Sequence, residues 1–200
     1  MSYTYSPKDI IDINYSKYYW KVMDFLANKF EKIANNYEKD ISKEYERETM
    51  LFKTSKANNI LHIGCGAFPI TAMTLAKMDC RKIVAIDRNP RAVKMASRLI
   101  TKKNLYDFIK IENGDGRKYP LEKFDTIIIS SNSTPKIEVL KHVFNNAGDN
   151  CKIIIRELCQ LNKTILDCIN SDPNIKLVKK IINKSESENK WESFFTIKKE

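Results

Sequence analysis

The chain has 200 residues, 42% apolar and 30% charged, which suits one ordinary domain with a modest appendage. That balance excludes a disordered tail, and apolar runs such as Ile127-Ile128-Ile129 fall far short of the ~20 residues that cross a bilayer. The formal net charge of +10 is uneven: residues 1–55 hold nine basic and nine acidic side chains, so the whole excess lies beyond them.

The opening residues lack the basic start and apolar core of a secretory signal. Cys65, Cys80, Cys151, Cys159 and Cys168 form no CxxC pair, which argues against a disulfide framework or a metal site and for a cytoplasmic protein. From Pro7 to Phe52 the pattern is helical, with Tyr15, Tyr18, Tyr19, Val22, Phe25, Leu26, Phe30 and Ile33 recurring every three or four residues. The pair Asn35-Asn36 is expected to break this stretch into two helices, followed by a polar linker over 53–59. Residues 1–55 thus read as a helical N-terminal lid and 56–200 as a second unit.

In that second unit, short β-branched runs predict strands at 60–63, 82–86, 108–112, 126–130, 152–156, 176–182 and 194–198. Helices fit at 69–78, 90–103, 135–145 and 160–170, two of them opening on the prolines of Asn89-Pro90 and Thr134-Pro135. Apolar strands alternating with helices mean a mostly parallel sheet covered on both faces. The last two strands leave no room for a helix, so they should form an antiparallel hairpin. The expected class is α/β, a Rossmann-like sheet of seven strands that resembles the class I methyltransferase sheet. On the helix at 90–103, Arg91, Lys94, Arg98 and Lys102 form a basic stripe opposite Val93, Ala96 and Ile100. A solvated face explains it, and a nucleic-acid partner is permitted without being favoured.

The sharpest signal is Ile60-Leu61-His62-Ile63-Gly64-Cys65-Gly66-Ala67-Phe68-Pro69, a strand running into two glycines and then a helix. Gly64 permits the tight turn and Gly66 lets a ligand approach the backbone. Asp87 ends the next strand, where a carboxylate accepts from both hydroxyls of a ribose. Asp115, in Asn113-Gly114-Asp115-Gly116, is placed to accept from an adenine amino group. Pro69 replaces the third glycine of a dinucleotide loop and removes an N–H from the helix start, so a nucleoside without phosphate fits better than NAD or FAD. S-adenosylmethionine is the candidate cofactor. His62 stands where an acidic residue often precedes the first glycine, and reads as a core histidine at a strand end.

Several segments together resemble nicotianamine synthase and its archaeal relatives. The loop Gly64-Cys65-Gly66-Ala67-Phe68-Pro69-Ile70-Thr71 is similar to their GSGPLPLT-type loop, and Ile86-Asp87-Arg88-Asn89-Pro90-Arg91-Ala92 to an IDxDPxA-type segment. Asn36-Tyr37, Ile41 and Glu44-Tyr45-Glu46 match an NYxxLxxLEYE-type helix, and Arg156 a VVRS-type strand end. The resemblance spans roughly residues 36–200. Together with the strand-end positions, it makes Gly64, Cys65, Gly66, Phe68, Asp87, Arg88, Asp115, Gly116, Ser130 and Ser131 the expected cofactor contacts. It favours Glu44 or Glu46 as the acid–base group, with Tyr45 and Tyr37 orienting the substrate, and Tyr19 stands near them upstream. Tyr18, Tyr19 and Trp20 are otherwise expected to pack in the core and lid.

Two transfers are compatible with the same loop: a methyl group, or an aminocarboxypropyl group to an amine as in nicotianamine synthase. The short N-terminus points to a single transfer to a small-molecule acceptor. Neither a (D/N)PP(Y/F) motif nor a Pro-Cys nucleophile follows the fourth strand, where Ser130-Ser131-Asn132-Ser133 stands instead. Both absences weigh against a nucleic-acid base methylase. An RNA methylase using the basic stripe and a non-catalytic cofactor-binding protein are the alternatives.

Overall fold

The computed structural model describes residues 7–54, 59–80, 82–185 and 190–200. Its strands are β1 (Ile60–Ile63), β2 (Ile83–Asp87), β3 (Ile109–Asn113), β4 (Thr126–Ile129), β5 (Lys152–Leu158), β6 (Ile175–Lys184) and β7 (Lys190–Lys198). They form one sheet in the order β3-β2-β1-β4-β5-β7-β6, parallel throughout except for β7, which runs antiparallel to both β5 and β6. This is the Rossmann-like methyltransferase arrangement, terminal hairpin included. The direction of strand addition reverses between β1 and β4, and the crevice at such a switch point, beyond the carboxyl ends of the strands, is where open α/β sheets bind ligands.

The sheet is apolar on both faces because helices cover both. Leu61, Ile63, Ile127, Ile129, Ile153 and Ile155 pack into one core with residues of α5 (Lys136–Asn146) and α6 (Asn162–Ser171). The alternate residues Ile60, Ile128 and Ile154 pack into the other, with α3 (Ile70–Lys77) and Ile100 of α4 (Pro90–Lys102). The period of two along each strand divides the side chains between the two cores.

Two helices precede the sheet, α1 (Pro7–Lys29) and α2 (Glu31–Leu51). The break lies at Phe30, whose backbone is extended (φ −121°, ψ 110°), and not at Asn35-Asn36 as the sequence suggested. Both asparagines are exposed within α2, where asparagine costs a helix under ~1 kcal/mol and cannot force a break. Of the polar linker, residues 55–58 lie outside the described residues.

A fully buried carboxylate fixes α2 to the sheet. Glu48 Oε2 accepts from Arg156 Nε and NH2 of β5, both at 2.8 Å. Its Oε1 accepts from Asn183 of β6 at 3.0 Å, from Trp191 of β7 at 3.3 Å and from the Ser193 hydroxyl. Arg156 gives a third bond to Thr71 Oγ1 at 2.7 Å, bringing α3 into the same network. Among the described residues no helix is long and apolar enough to cross a membrane.

Candidate active site

The loop after β1 is shaped by its two glycines. Gly64 has φ +80° and Gly66 φ +68°, the left-handed region that glycine occupies without strain. A Cβ on Gly64 would stand 2.3 Å from Ser133 Oγ, and one on Gly66 2.5 Å from Asp24 Oδ2. Asp87, at the end of β2, holds the loop from the other side. Its Oδ2 accepts from Gly66 N at 3.0 Å and its Oδ1 from Asn89 N at 2.8 Å. Each oxygen keeps a lone pair, and Asp87 lines the adjacent cavity.

That cavity has a volume of about 1250 Å³, above the ~300–1,000 Å³ typical of a site for one drug-sized ligand. The glycine loop, Asp87, Arg88, Ser130 and Ser131 bound it on the sheet side, and α1 and α2 on the other. Aromatic rings make much of the helical wall. Tyr19 meets Trp20 edge-on at 5.1 Å, Trp20 stacks on Tyr37 at 5.7 Å, and Tyr37 tilts against Phe68 at 5.7 Å. Tyr45 meets Trp191 edge-on at 5.8 Å, and the Arg156 guanidinium carbon lies 3.6 Å from the centre of the Tyr45 ring.

Asp24 is the ionisable group that α1 brings to the loop. Its Oδ2 accepts from Ala67 N at 2.8 Å, while Asn28 Nδ2 donates to Ala67 O at 3.0 Å, so α1 grips both sides of one loop residue. Burial raises the Asp24 carboxyl to about 7, with the nearby Asp87 charge adding to the rise. Bonds from the Ala67 and Phe68 amides and from the Tyr37 hydroxyl oppose it. Burial pushes the Tyr37 phenol well above its ordinary value, so it stays protonated and donates. His62 forms part of the floor. Burial, aided by the Arg156 charge, lowers it to about 3, which keeps it neutral, with Nε2 2.7 Å from Ser130 Oγ.

Gly64, Cys65, Gly66, Phe68, Asp87, Arg88, Ser130 and Ser131 thus line one cavity with Tyr19, Tyr37 and Tyr45. Four other expected residues are not among its lining. Asp115 is gripped by Arg117, whose NH2 lies 2.6 Å from Oδ2, and this bond above all holds its carboxyl down at about 2. Gly116 is buried against Ile63 and Val139. Glu44 lies 2.7 Å from Arg47 on its own helix, and Glu46 is half-buried on α2.

Tyr18 departs from the expected core and lid packing: it is 70% exposed. One helix cannot bury apolar residues on every side, and the inner face of α1 is taken by Trp20, Asp24 and Ala27. Asp24 itself escaped sequence reasoning. Its signal was there in the spacing, because it stands four residues after Trp20 and four before Asn28, on the stripe that faces the protein. Among the described residues no cluster of three or more His, Cys, Asp or Glu could hold a metal ion.

A family model described as a methyltransferase domain matches residues 54–199. No curated protein matches the chain. Among solved structures, a point mutant of MtNAS in complex with S-adenosylmethionine is similar over 89% of this chain and 71% of its own, with 15% identity and a TM-score of 0.68. The N-methyltransferase NodS from Bradyrhizobium japonicum WM9, in complex with S-adenosyl-L-homocysteine, covers 79% of this chain and 87% of its own at 16% identity and TM-score 0.62. The [4+2]-cyclase SpnF covers 79% and 81% at 10% identity and TM-score 0.64. At these identities the likeness is one of fold, and a cyclase among the matches shows how far reactions diverge on it.

Proposed function

Because the chain belongs to the methyltransferase-domain family, whose cofactor is S-adenosylmethionine, we propose that it transfers a group from that cofactor to the amine of a small acceptor. The residues fit the cofactor. The two glycines keep the loop backbone bare, with the Ser133 and Asp24 side chains close against it, and Asp87 is held at the end of β2 with lone pairs free for two ribose hydroxyls. Arg88, Ser130 and Ser131 complete that side. The remaining volume, walled by Tyr19, Trp20, Tyr37 and Tyr45, suits an amine, since a cation is attracted to aromatic faces.

One observation carries the reading: the Asp24–Tyr37 pair stands inside the cavity, over the glycine loop, with a carboxyl that titrates near neutrality. When bound, S-adenosylmethionine supplies an activated carbon next to a sulfonium. Asp24 takes the proton the amine sheds as the C–N bond forms and the C–S electron pair returns to sulfur. Tyr37 steadies the carboxylate by donating to it, and Tyr45 lines the acceptor's side. Glu44 and Glu46, outside the cavity lining, take no proton on this reading.

The group transferred is a methyl group, in keeping with the family. Aminocarboxypropyl transfer is a second reading, favoured by one observation. The match to MtNAS covers 89% of the chain and so reaches past residues 54–199 into the N-terminal helices that wall the acceptor's side. Mass spectrometry of the protein incubated with S-adenosylmethionine and a metabolite extract separates the two. S-adenosylhomocysteine is expected, methylthioadenosine would establish the second reading, and neither product in excess of an Asp87→Ala control would overturn both. That control is itself a prediction. In titration calorimetry Asp87→Ala should weaken S-adenosylmethionine about 10- to 100-fold, matching the ~1.5–3 kcal/mol of a hydrogen bond to a charged group.

A further inference from the structure

Helix α1 has a second apolar face, beside the one that Trp20 and Asp24 present to the cavity. Ile11 is 68% exposed, Tyr15 72%, Tyr18 70%, Val22 37% and Phe25 47%. Their spacings are four, three, four and three, the a/d repeat of a coiled-coil seam, sustained over two heptads. Single exposed apolar residues need no explanation, but a contiguous stripe at this period does. The glycine loop and α2 pack against Trp20, Asp24 and Asn28 of α1 and not on this stripe, where the Lys29 ammonium lies 4.4 Å from the Phe25 ring centre.

We propose that this stripe is where a second copy of the chain docks, α1 against α1. Three observations select that occupant. Taking ~150–250 Å² for an aromatic side chain, the five residues with Phe30 just beyond them expose on the order of 600–700 Å², close to the ~800 Å² each partner contributes to a standard interface. Charge permits self-association here: residues 7–29 hold four lysines and three aspartates, whereas the rest of the chain carries nearly all of the +10. A near-neutral helix meets its own copy without strong repulsion and offers little to an anionic lipid surface or a nucleic acid. The stripe is also centred on Tyr18, with two seam residues on either side, so it is self-complementary about a two-fold axis and Tyr18 faces its counterpart whichever way the helices run. Tyr15 and Phe25 belong to both the stripe and the cavity lining, so the second copy covers the open side of the cavity.

Sedimentation velocity on the full chain is expected to give twice the monomer mass, and the double variant Tyr18→Glu with Val22→Glu to give the monomer mass. Both side chains are exposed and neither lines the cavity, so circular dichroism and melting should match a monomer that folds normally. Because the double variant can fail for other reasons, Tyr18→Cys treated with a short bismaleimide provides a second arm. It should yield a covalent dimer, while the native chain, whose cysteines are buried or half-buried, should not. A native chain that stays monomeric at every concentration overturns the proposal, as does a double variant that remains dimeric or a Tyr18→Cys chain that fails to cross-link. A monomer that instead co-sediments with anionic vesicles would assign the stripe to a lipid surface and overturn it equally.

Discussion

Replacing Asp24 by asparagine is expected to slow group transfer by two to four orders of magnitude, the usual worth of a positioned acid–base group, while S-adenosylmethionine still binds. Asparagine keeps an oxygen for the Ala67 amide, so loop geometry and cofactor affinity should survive. The loss then falls on kcat. The pH profile gives a sharper test. With the carboxyl at about 7, the fraction able to take a proton rises tenfold per pH unit below neutrality, so kcat/KM should climb to a plateau above about pH 7. The variant should lose that inflection.

Stability should move the other way. The folded protein holds the Asp24 proton up to about pH 7, whereas the unfolded chain releases it near 3.8. Between those values the native state binds the extra proton, so this group's contribution to stability falls as pH rises. At pH 8 Asp24→Asn should therefore melt higher than the native protein, and at pH 4 the two should nearly coincide. A variant that is inactive but more stable at alkaline pH is what a strained functional carboxylate leaves behind. Equal loss of activity and of melting temperature at every pH would mark Asp24 as merely structural.

The largest effect on folding is expected at Glu48. Glu48→Ala leaves the Arg156 guanidinium buried without its counter-charge, and strips the acceptor from Asn183, Trp191 and Ser193. Breaking a buried pair from one side costs about 3–5 kcal/mol, a large share of a typical domain's stability. For a chain of this size that is a fall in Tm of roughly 6–20 °C. The double variant Glu48→Leu with Arg156→Leu should lose far less than the two single variants together, because it removes the stranded charge along with its partner. Additive losses in that cycle would show that the pair is not the source of the effect.

What the sequence disclosed and what it hid follow from the range of the interactions involved. The strands were legible because their β-branched runs are local, and the hairpin because too few residues separate its strands for a helix. Gly64, Gly66 and Asp87 were legible because a glycine turn and the acid at the next strand end keep a fixed offset. For Asp24 the spacing marked only a helix face; its partner Ala67, 43 positions away, was not legible from a helix whose apolar residues point in two directions. Nor was the role of Glu48, whose partner Arg156 lies 108 positions away. The family resemblance, not periodicity, favoured Glu44 and Glu46 among the carboxylates of α2. Which carboxylate meets the sheet depends on how that helix is rotated against β5 and β7, and packing decides that.

The Glu48 network also separates two meanings of a domain. The sequence shared with the methyltransferase family begins at residue 54, six positions after the carboxylate on which Arg156, Asn183, Trp191 and Ser193 converge. A polypeptide trimmed to that inherited boundary would lose the keystone of its own sheet. The stretch that matches the family is therefore shorter than the stretch the Glu48 network ties together, and α2, outside that match, is bound by it to the sheet it precedes.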